Sequence, residues 1–187
     1  MKFRIWILAT LLVFASWNLA CTTPSWVAEA ESIAKVALPI VEALASILGA
    51  GPVVTQVEND ISLLIDLLEQ YQATPSTGSL QQIQNGLNTV NSDLAQILPA
   101  AHITNAATQH KVTAIIQLVT SEFSTIAALV PSSAAQMSLA GKTSAKPPAG
   151  PRLPFTAKEF KTQYNRIVKT KTGDPACDAA FVDKELK

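Results

Sequence analysis

The sequence predicts an all-α protein: an antiparallel up-down-up-down four-helix bundle followed by a basic C-terminal tail that carries one or two short helices. Four consecutive segments alternate apolar spacings of three and four, which is the period of knobs-into-holes packing. Short connections with proline and glycine favour antiparallel neighbours. Charge divides the chain as well. Residues 22–141 hold nine acidic and two basic residues, a net charge of −7, whereas residues 142–172 hold one acidic and eight basic residues, a net charge of +7.

Each helix of the predicted bundle, which spans residues 21–131, has one apolar stripe. The first stripe, over 26–48, contains Trp26, Ala30, Ile33, Ala37, Ile40, Leu44 and Ile47. The second, over 53–72, contains Val54, Val57, Ile61, Leu64, Leu68 and Tyr71. The third, over 80–98, contains Leu80, Ile83, Leu87, Val90, Leu94 and Ile97. The fourth, over 105–130, contains Val112, Ile116, Val119, Phe123, Ile126 and Val130.

Local signals set the helix ends. Pro52 can open the second helix because its missing N–H is not needed there. Ser79 and Gln82 form a capping-box pair for the third helix, and Pro99 closes it. Pro39, inside the first helix, predicts a kink. The apolar stretch Val36–Val54 also has the length of a membrane span, but a carboxylate within it would cost about 2.5–3.5 kcal/mol, which favours a core helix.

The C-terminal tail begins after a flexible, proline-rich linker predicted over residues 132–155. Within residues 156–187, Thr156 and Glu159 form a capping box for a helix over 157–169, and a last short helix starts at Asp174 and Pro175. The 157–169 helix is amphipathic. Its apolar residues are Phe160, Tyr164, Ile167 and Val168, and its basic residues are Lys158, Lys161, Arg166 and Lys169.

Three roles are open to this basic helix. It can dock its apolar face on the bundle, lie on an anionic membrane with its four basic side chains as surface contacts, or bind an anionic polymer such as nucleic acid. An exported protein meets little nucleic acid, so we expect no nucleic-acid partner. In an up-down bundle the start of the first helix and the end of the fourth helix lie at the same pole. An N-terminal membrane anchor and the basic tail would then leave the bundle from one end, which favours the membrane over the polymer as the partner of this helix.

The N-terminal residues predict export. Lys2 and Arg4 precede an uncharged run from Ile5 to Ala20, and Cys21 follows. This run is 16 residues, about 24 Å as a helix, which is short for a permanent span of a bilayer core about 30 Å thick. Residues 1–20 therefore indicate a signal peptide.

Residues 1–21 resemble the signal peptides of bacterial lipoproteins, and the resemblance is limited to them. It implies cleavage after Ala20, lipid attachment at Cys21, and a membrane-anchored place on the periplasmic or outer side of the cell envelope. Asn18 and Leu19 depart from the usual pattern of that class. Cleavage after Ala15 would keep the cysteine as an ordinary thiol, and cleavage after Ala30 would discard it. An uncleaved N-terminal anchor is the remaining alternative.

Two chemical states are open to the second cysteine, Cys177. A disulfide with Cys21 suits an oxidising compartment if that residue is not lipidated, whereas an inert thiol is the simpler interpretation. Two cysteines and two histidines, widely spaced, do not predict a zinc site. We expect no cofactor.

No catalytic motif is present: the sequence lacks a phosphate-binding glycine loop, a nucleophile set and paired carboxylates at a recognisable spacing. We therefore expect a non-enzymatic helical interaction or structural module, anchored in the cell envelope, with a protein partner that the sequence does not identify. A carrier that holds an apolar ligand between its helices is the alternative. A third hypothesis is a membrane-active protein that opens its bundle at Pro39.

The amide-rich surface of the third helix suits either sugar or peptide recognition or an ordinary polar face.

Overall fold

The computed structural model describes residues 24–48, 51–101, 103–130, 156–182 and 184–186. The predicted all-α class is confirmed, because these residues form six helices and no strand. The helices are α1 (Ser25–Leu48), α2 (Pro52–Ala73), α3 (Thr77–Ala100), α4 (Ala106–Leu129), α5 (Ala157–Lys169) and α6 (Pro175–Phe181). The signal peptide, Cys21 and the predicted linker lie outside the described residues.

Helix α3 is where the predicted bounds and cap are wrong. The helix begins at Thr77 rather than at residue 80, because Ser76 is its N-cap and accepts a hydrogen bond from the Ser79 N–H at 3.0 Å. The Ser79 hydroxyl accepts in return from the Ser76 N–H at 3.1 Å. Ser79 is therefore the N3 residue of the capping box and not the N-cap residue. Pro99 does not close the helix, which runs to Ala100, since a proline in the last turn removes only one hydrogen bond.

The predicted apolar stripes form the core. Every predicted stripe residue of α2, α3 and α4 is buried, and so is every one of α1 except Ile47, which is half-buried. In α2 and α3 the buried set is the predicted stripe and nothing else. These two helices therefore bury one face each.

Helices α1 and α4 bury a second face as well. The additional buried residues of α1 are Val27, Ala34, Val36, Val41 and Ala43. Those of α4 are Thr108, Lys111, Ile115, Leu118 and Glu122. Helix α5 packs against both α4 and α1, and α6 packs against α1, which accounts for the wider burial.

Side chains near the helix ends show which parts of neighbouring helices meet. The rings of Trp26 in the first turn of α1 and Tyr71 near the end of α2 lie 6.2 Å apart between centroids. Gln84, two turns into α3, donates to the carbonyl of Ala127 near the end of α4 at 3.4 Å. Each contact joins the beginning of one helix to the end of another.

Within the described part of the chain, α4 alone has the length and apolar composition of a helix that could cross a membrane. Its two buried faces explain that composition without a bilayer. The stretch Val36–Val54 is not one helix, because α1 ends at Leu48 and α2 begins at Pro52.

Candidate membrane-surface site

The candidate site is built on α5, and its first turn has the capping box that the sequence predicts. The Thr156 hydroxyl accepts from the Glu159 N–H at 3.3 Å, and the Glu159 carboxylate accepts from the Thr156 N–H at 2.8 Å. Two N–H groups that a helix start leaves without partners are thereby satisfied. The prediction of this cap is confirmed.

A carboxylate of α1 holds the start of α5. Glu29, in the second turn of α1, accepts a hydrogen bond from the Ala157 N–H at 2.5 Å. A negative charge at a helix N-terminus is stabilising because it faces unpaired N–H groups and the positive end of the helix dipole. The first turns of α1 and α5 are therefore neighbours.

The apolar face of α5 packs on the rest of the protein. Phe160, Tyr164 and Val168 are buried, and Ile167 is half-buried. Burial raises the pKa of the Tyr164 hydroxyl to about 12. While α5 is docked, this buried face is closed to a bilayer or to any other partner.

The polar side of α5 carries the four predicted basic residues, which we call the basic flank: Lys158, Lys161, Arg166 and Lys169. All except Lys161, which is half-buried, are exposed. At 100° per residue the four positions cover an arc of about 140° on the helix surface. The structure thus brings the predicted residues onto one side of one helix. Lys169 also contacts the exposed Glu185 carboxylate at 3.1 Å, an ion pair of the weak surface kind.

A buried lysine that the sequence analysis missed fixes the other end of α5. Lys111 of α4 is 6% exposed and donates to the carbonyl of Thr170, the C-cap of α5, at 2.8 Å. Its ammonium lies 3.8 Å from the Asp178 carboxylate and 4.9 Å from the centre of the Phe181 ring. A cation at a helix C-terminus complements the unpaired carbonyls there.

The turn between α5 and α6 is organised around Asp178. Its carboxylate accepts from the Thr172 N–H at 2.9 Å and from the Gly173 N–H at 3.2 Å. These hydrogen bonds, led by the one from the Thr172 backbone, lower the pKa of Asp178. Gly173 has a φ of 74°, a left-handed conformation that favours glycine.

The last described residues return along α5. The Asn165 side chain donates to the Leu186 carbonyl at 2.9 Å and accepts from the Leu186 N–H at 2.8 Å. Leu186 packs against the edge of the core. Asn165 lies within the arc of the basic flank, so the C-terminal segment packs across part of that flank.

Glu122 is the second buried charged residue of α4 that the sequence analysis missed. It is 1% exposed, and its Oε2 atom has no hydrogen-bond partner. Burial, and secondarily the negative charge of Glu159, raise the pKa of Glu122 to about 7. Residues 108, 111, 115, 118 and 122 repeat at spacings of three and four, and this repeat is the sequence signal that could have revealed a second buried face.

A shallow groove of about 360 Å³ lies between α2 and α3. Its lining includes Leu63, which is 56% exposed, and Gly86, where an added Cβ would meet Leu64 at 3.5 Å. The amide-rich surface of α3 adjoins it. Most of that surface is exposed, namely Gln81, Gln82, Asn85, Asn88, Ser92 and Gln96. The arrangement suits an ordinary polar helix face.

Cys177 is fully buried in α6, which packs against α1. A disulfide with Cys21 stays untested, because that residue lies outside the described part. No group of three histidine, cysteine or acidic side chains that could hold a metal ion occurs in the part of the chain that the structure describes.

Comparison of the chain with protein-family models, curated proteins and solved structures found no match.

Proposed function

We propose that the mature protein is a lipid-anchored, non-enzymatic helical module of the cell envelope. In this proposal the lipid is attached to Cys21, and α1 to α4 form an antiparallel up-down-up-down bundle. The basic flank of α5 rests on anionic membrane headgroups. The remaining helical surface is left to a protein partner.

The antiparallel arrangement is supported by which residues meet. Trp26 of α1 is near Tyr71 of α2, and Gln84 of α3 is near Ala127 of α4. If neighbouring helices run in opposite directions, the start of α1 and the end of α4 lie at one pole. The short connections between consecutive helices favour the same topology.

The observation that carries the proposal is the hydrogen bond from the Ala157 N–H to the Glu29 carboxylate. Cys21 precedes Glu29 by only eight residues. A lipid on this cysteine would therefore hold the start of α5 close to the membrane. The lipid anchor and the basic flank then act at the same surface, as two signals that together give stable attachment.

Charge supports the same orientation. Residues 22–141 carry a net charge of −7, so an anionic surface repels most of the body. The basic flank is the exception. Each lysine or arginine close to an anionic surface contributes about 1 kcal/mol to binding. Because the apolar face of α5 is buried, we expect this binding to be electrostatic and to weaken with added salt.

The test uses residues 22–187 without the lipid and vesicles that contain phosphatidylserine. Replacing Lys158 and Arg166 by glutamine removes two exposed positive charges from the basic flank. We expect this double variant to bind the vesicles roughly 10-fold to 30-fold more weakly at low salt. Co-sedimentation over a series of protein concentrations measures the change.

The control has the same change in net charge at a distant surface: Gln81→Glu with Asn88→Asp on exposed positions of α3. It should bind almost as the unmodified protein does. Equal weakening in both double variants would show a general charge effect, and binding that is insensitive to salt would show that the flank does not act electrostatically. Either result contradicts the proposal.

A further inference from the structure

Glu122 and Lys111 mark the two ends of the surface of α4 on which α5 docks. They are 11 residues apart, which is three helical turns and places them on one face. Thr170, which accepts from Lys111, and Glu159, whose charge acts on Glu122, are also 11 residues apart. Helix α5 therefore runs antiparallel to α4, with its C-terminal end at Lys111 and its N-terminal end at Glu122.

The two ends are held differently. At the C-terminal end, the buried Lys111 ammonium has a carbonyl at 2.8 Å, a carboxylate at 3.8 Å and an aromatic ring at 4.9 Å. At the N-terminal end, the Oε2 atom of Glu122 is buried with no hydrogen-bond partner. Burial of a carboxylate without a full set of partners favours its protonated form over its charged form.

The charged groups around Glu122 do not compensate its charge. From α5 the negative charge of Glu159 acts on it, and Glu29 of α1 contacts the start of the same helix. These two carboxylates already accept from the Thr156 and Ala157 N–H groups, so the donors at the start of α5 are in use.

Three charged residues of the neighbouring helices α1 and α3 interact with α2 instead. The one charged residue of α3, Asp93, interacts with Asp60 of α2. On α1, Glu31 and Lys35 pair with each other and with α2 side chains. Lys158 and Lys161 belong to the basic flank on the polar side of α5.

We propose that Glu122 is a proton-operated latch: its protonated form holds the N-terminal half of α5 against α4 and α1, and loss of the proton loosens that half. The C-terminal half stays fixed by Lys111. Release of the N-terminal half exposes Phe160 and the part of the second buried face of α4 that surrounds Glu122.

The direction of the pH effect follows from the pKa of Glu122, which rises from an ordinary 4.5 to about 7 on burial. The docked form binds the proton more tightly than the open form. The stabilisation of docking is therefore fully present below about pH 4.5 and is lost as the pH rises through about 7. Between pH 5.5 and 8 the opening equilibrium should increase on the order of 10-fold.

Hydrogen exchange of the α5 backbone, measured by mass spectrometry and corrected for intrinsic rates, tests the latch. In the unmodified protein the opening constant of residues 157–164 should increase on the order of 10-fold from pH 5.5 to pH 8. Glu122→Gln, which mimics the protonated carboxyl, should keep these amides protected at both pH values. Glu42→Gln makes the same change at an exposed position of α1 and should follow the unmodified protein.

No pH dependence in the unmodified protein, or an equal increase in Glu122→Gln, would overturn the latch. If Glu122→Gln does not fold, a carbon-13 NMR titration of the unmodified protein decides. A Glu122 midpoint near pH 7 supports the latch, and a midpoint near the ordinary value of 4.5 contradicts it.

Discussion

Replacing Phe160 by alanine should lower the free energy of unfolding by about 3–5 kcal/mol, because this ring is fully buried and its loss leaves a cavity. The ring belongs to α5, which packs against α4 and α1. If α5 is an integral part of the helical body, the loss appears in the main cooperative transition of urea unfolding followed by circular dichroism.

Leu63→Ala is the matched control. Leu63 is 56% exposed on α2, so its truncation should cost less than about 0.5 kcal/mol. A Phe160→Ala protein that unfolds at the same urea concentration as the control variant would show that α5 contributes nothing to the body. In that case α5 would be an appendage, and the docked geometry described above would be wrong.

Replacing Lys111 by alanine should cost about 2–4 kcal/mol. The substitution leaves the Thr170 carbonyl without its donor and removes the cation beside Asp178 and Phe181. The expected loss of unfolding free energy is at the lower end of the range for buried ion pairs. The reason is that the Asp178 side chain is 28% exposed, so solvent screens part of its charge. Urea unfolding measures the loss.

Lys35→Ala provides the comparison, because Lys35 also pairs with acidic groups, Glu31 and Glu69, but its side chain is 49% exposed. Exposed ion pairs contribute little, because solvent screens them. The two lysines should therefore differ clearly in their effect although both form ion pairs. Equal losses would mean that burial does not determine the contribution of Lys111.

Most of the fold could be predicted from periodicity. The stripes of α2 and α3 are fully predicted because each of these helices buries one apolar face, and a single face gives a clear spacing of three and four. The Thr156 cap could be predicted because serine or threonine followed three residues later by glutamate is a local signal. The predicted start of α3 is wrong because its capping box pairs Ser76 with Ser79. This pair lacks the glutamate or glutamine that marks a capping box in sequence.

The second faces of α1 and α4 could not be assigned in the same way. Their partners are α5 and, for α1, also α6. Both follow more than 25 residues after α4, and no local pattern says which face a distant helix covers. On α4 the charges of Lys111 and Glu122 interrupt the apolar pattern, so these residues look solvent-exposed in sequence. Their burial depends on tertiary contacts with Thr170, Asp178 and the start of α5. The basic flank, by contrast, follows from the spacing along one helix.

The intact mass of the protein extracted from membranes of the producing cells tests the central claim most directly. Attachment through Cys21 predicts a chain of residues 21–187 with the added mass of acyl chains on its first residue, and predicts that Cys21→Ser abolishes this mass and releases the protein from the membrane fraction. An unmodified chain that begins at Met1 and stays in the soluble cytoplasmic fraction would contradict the account.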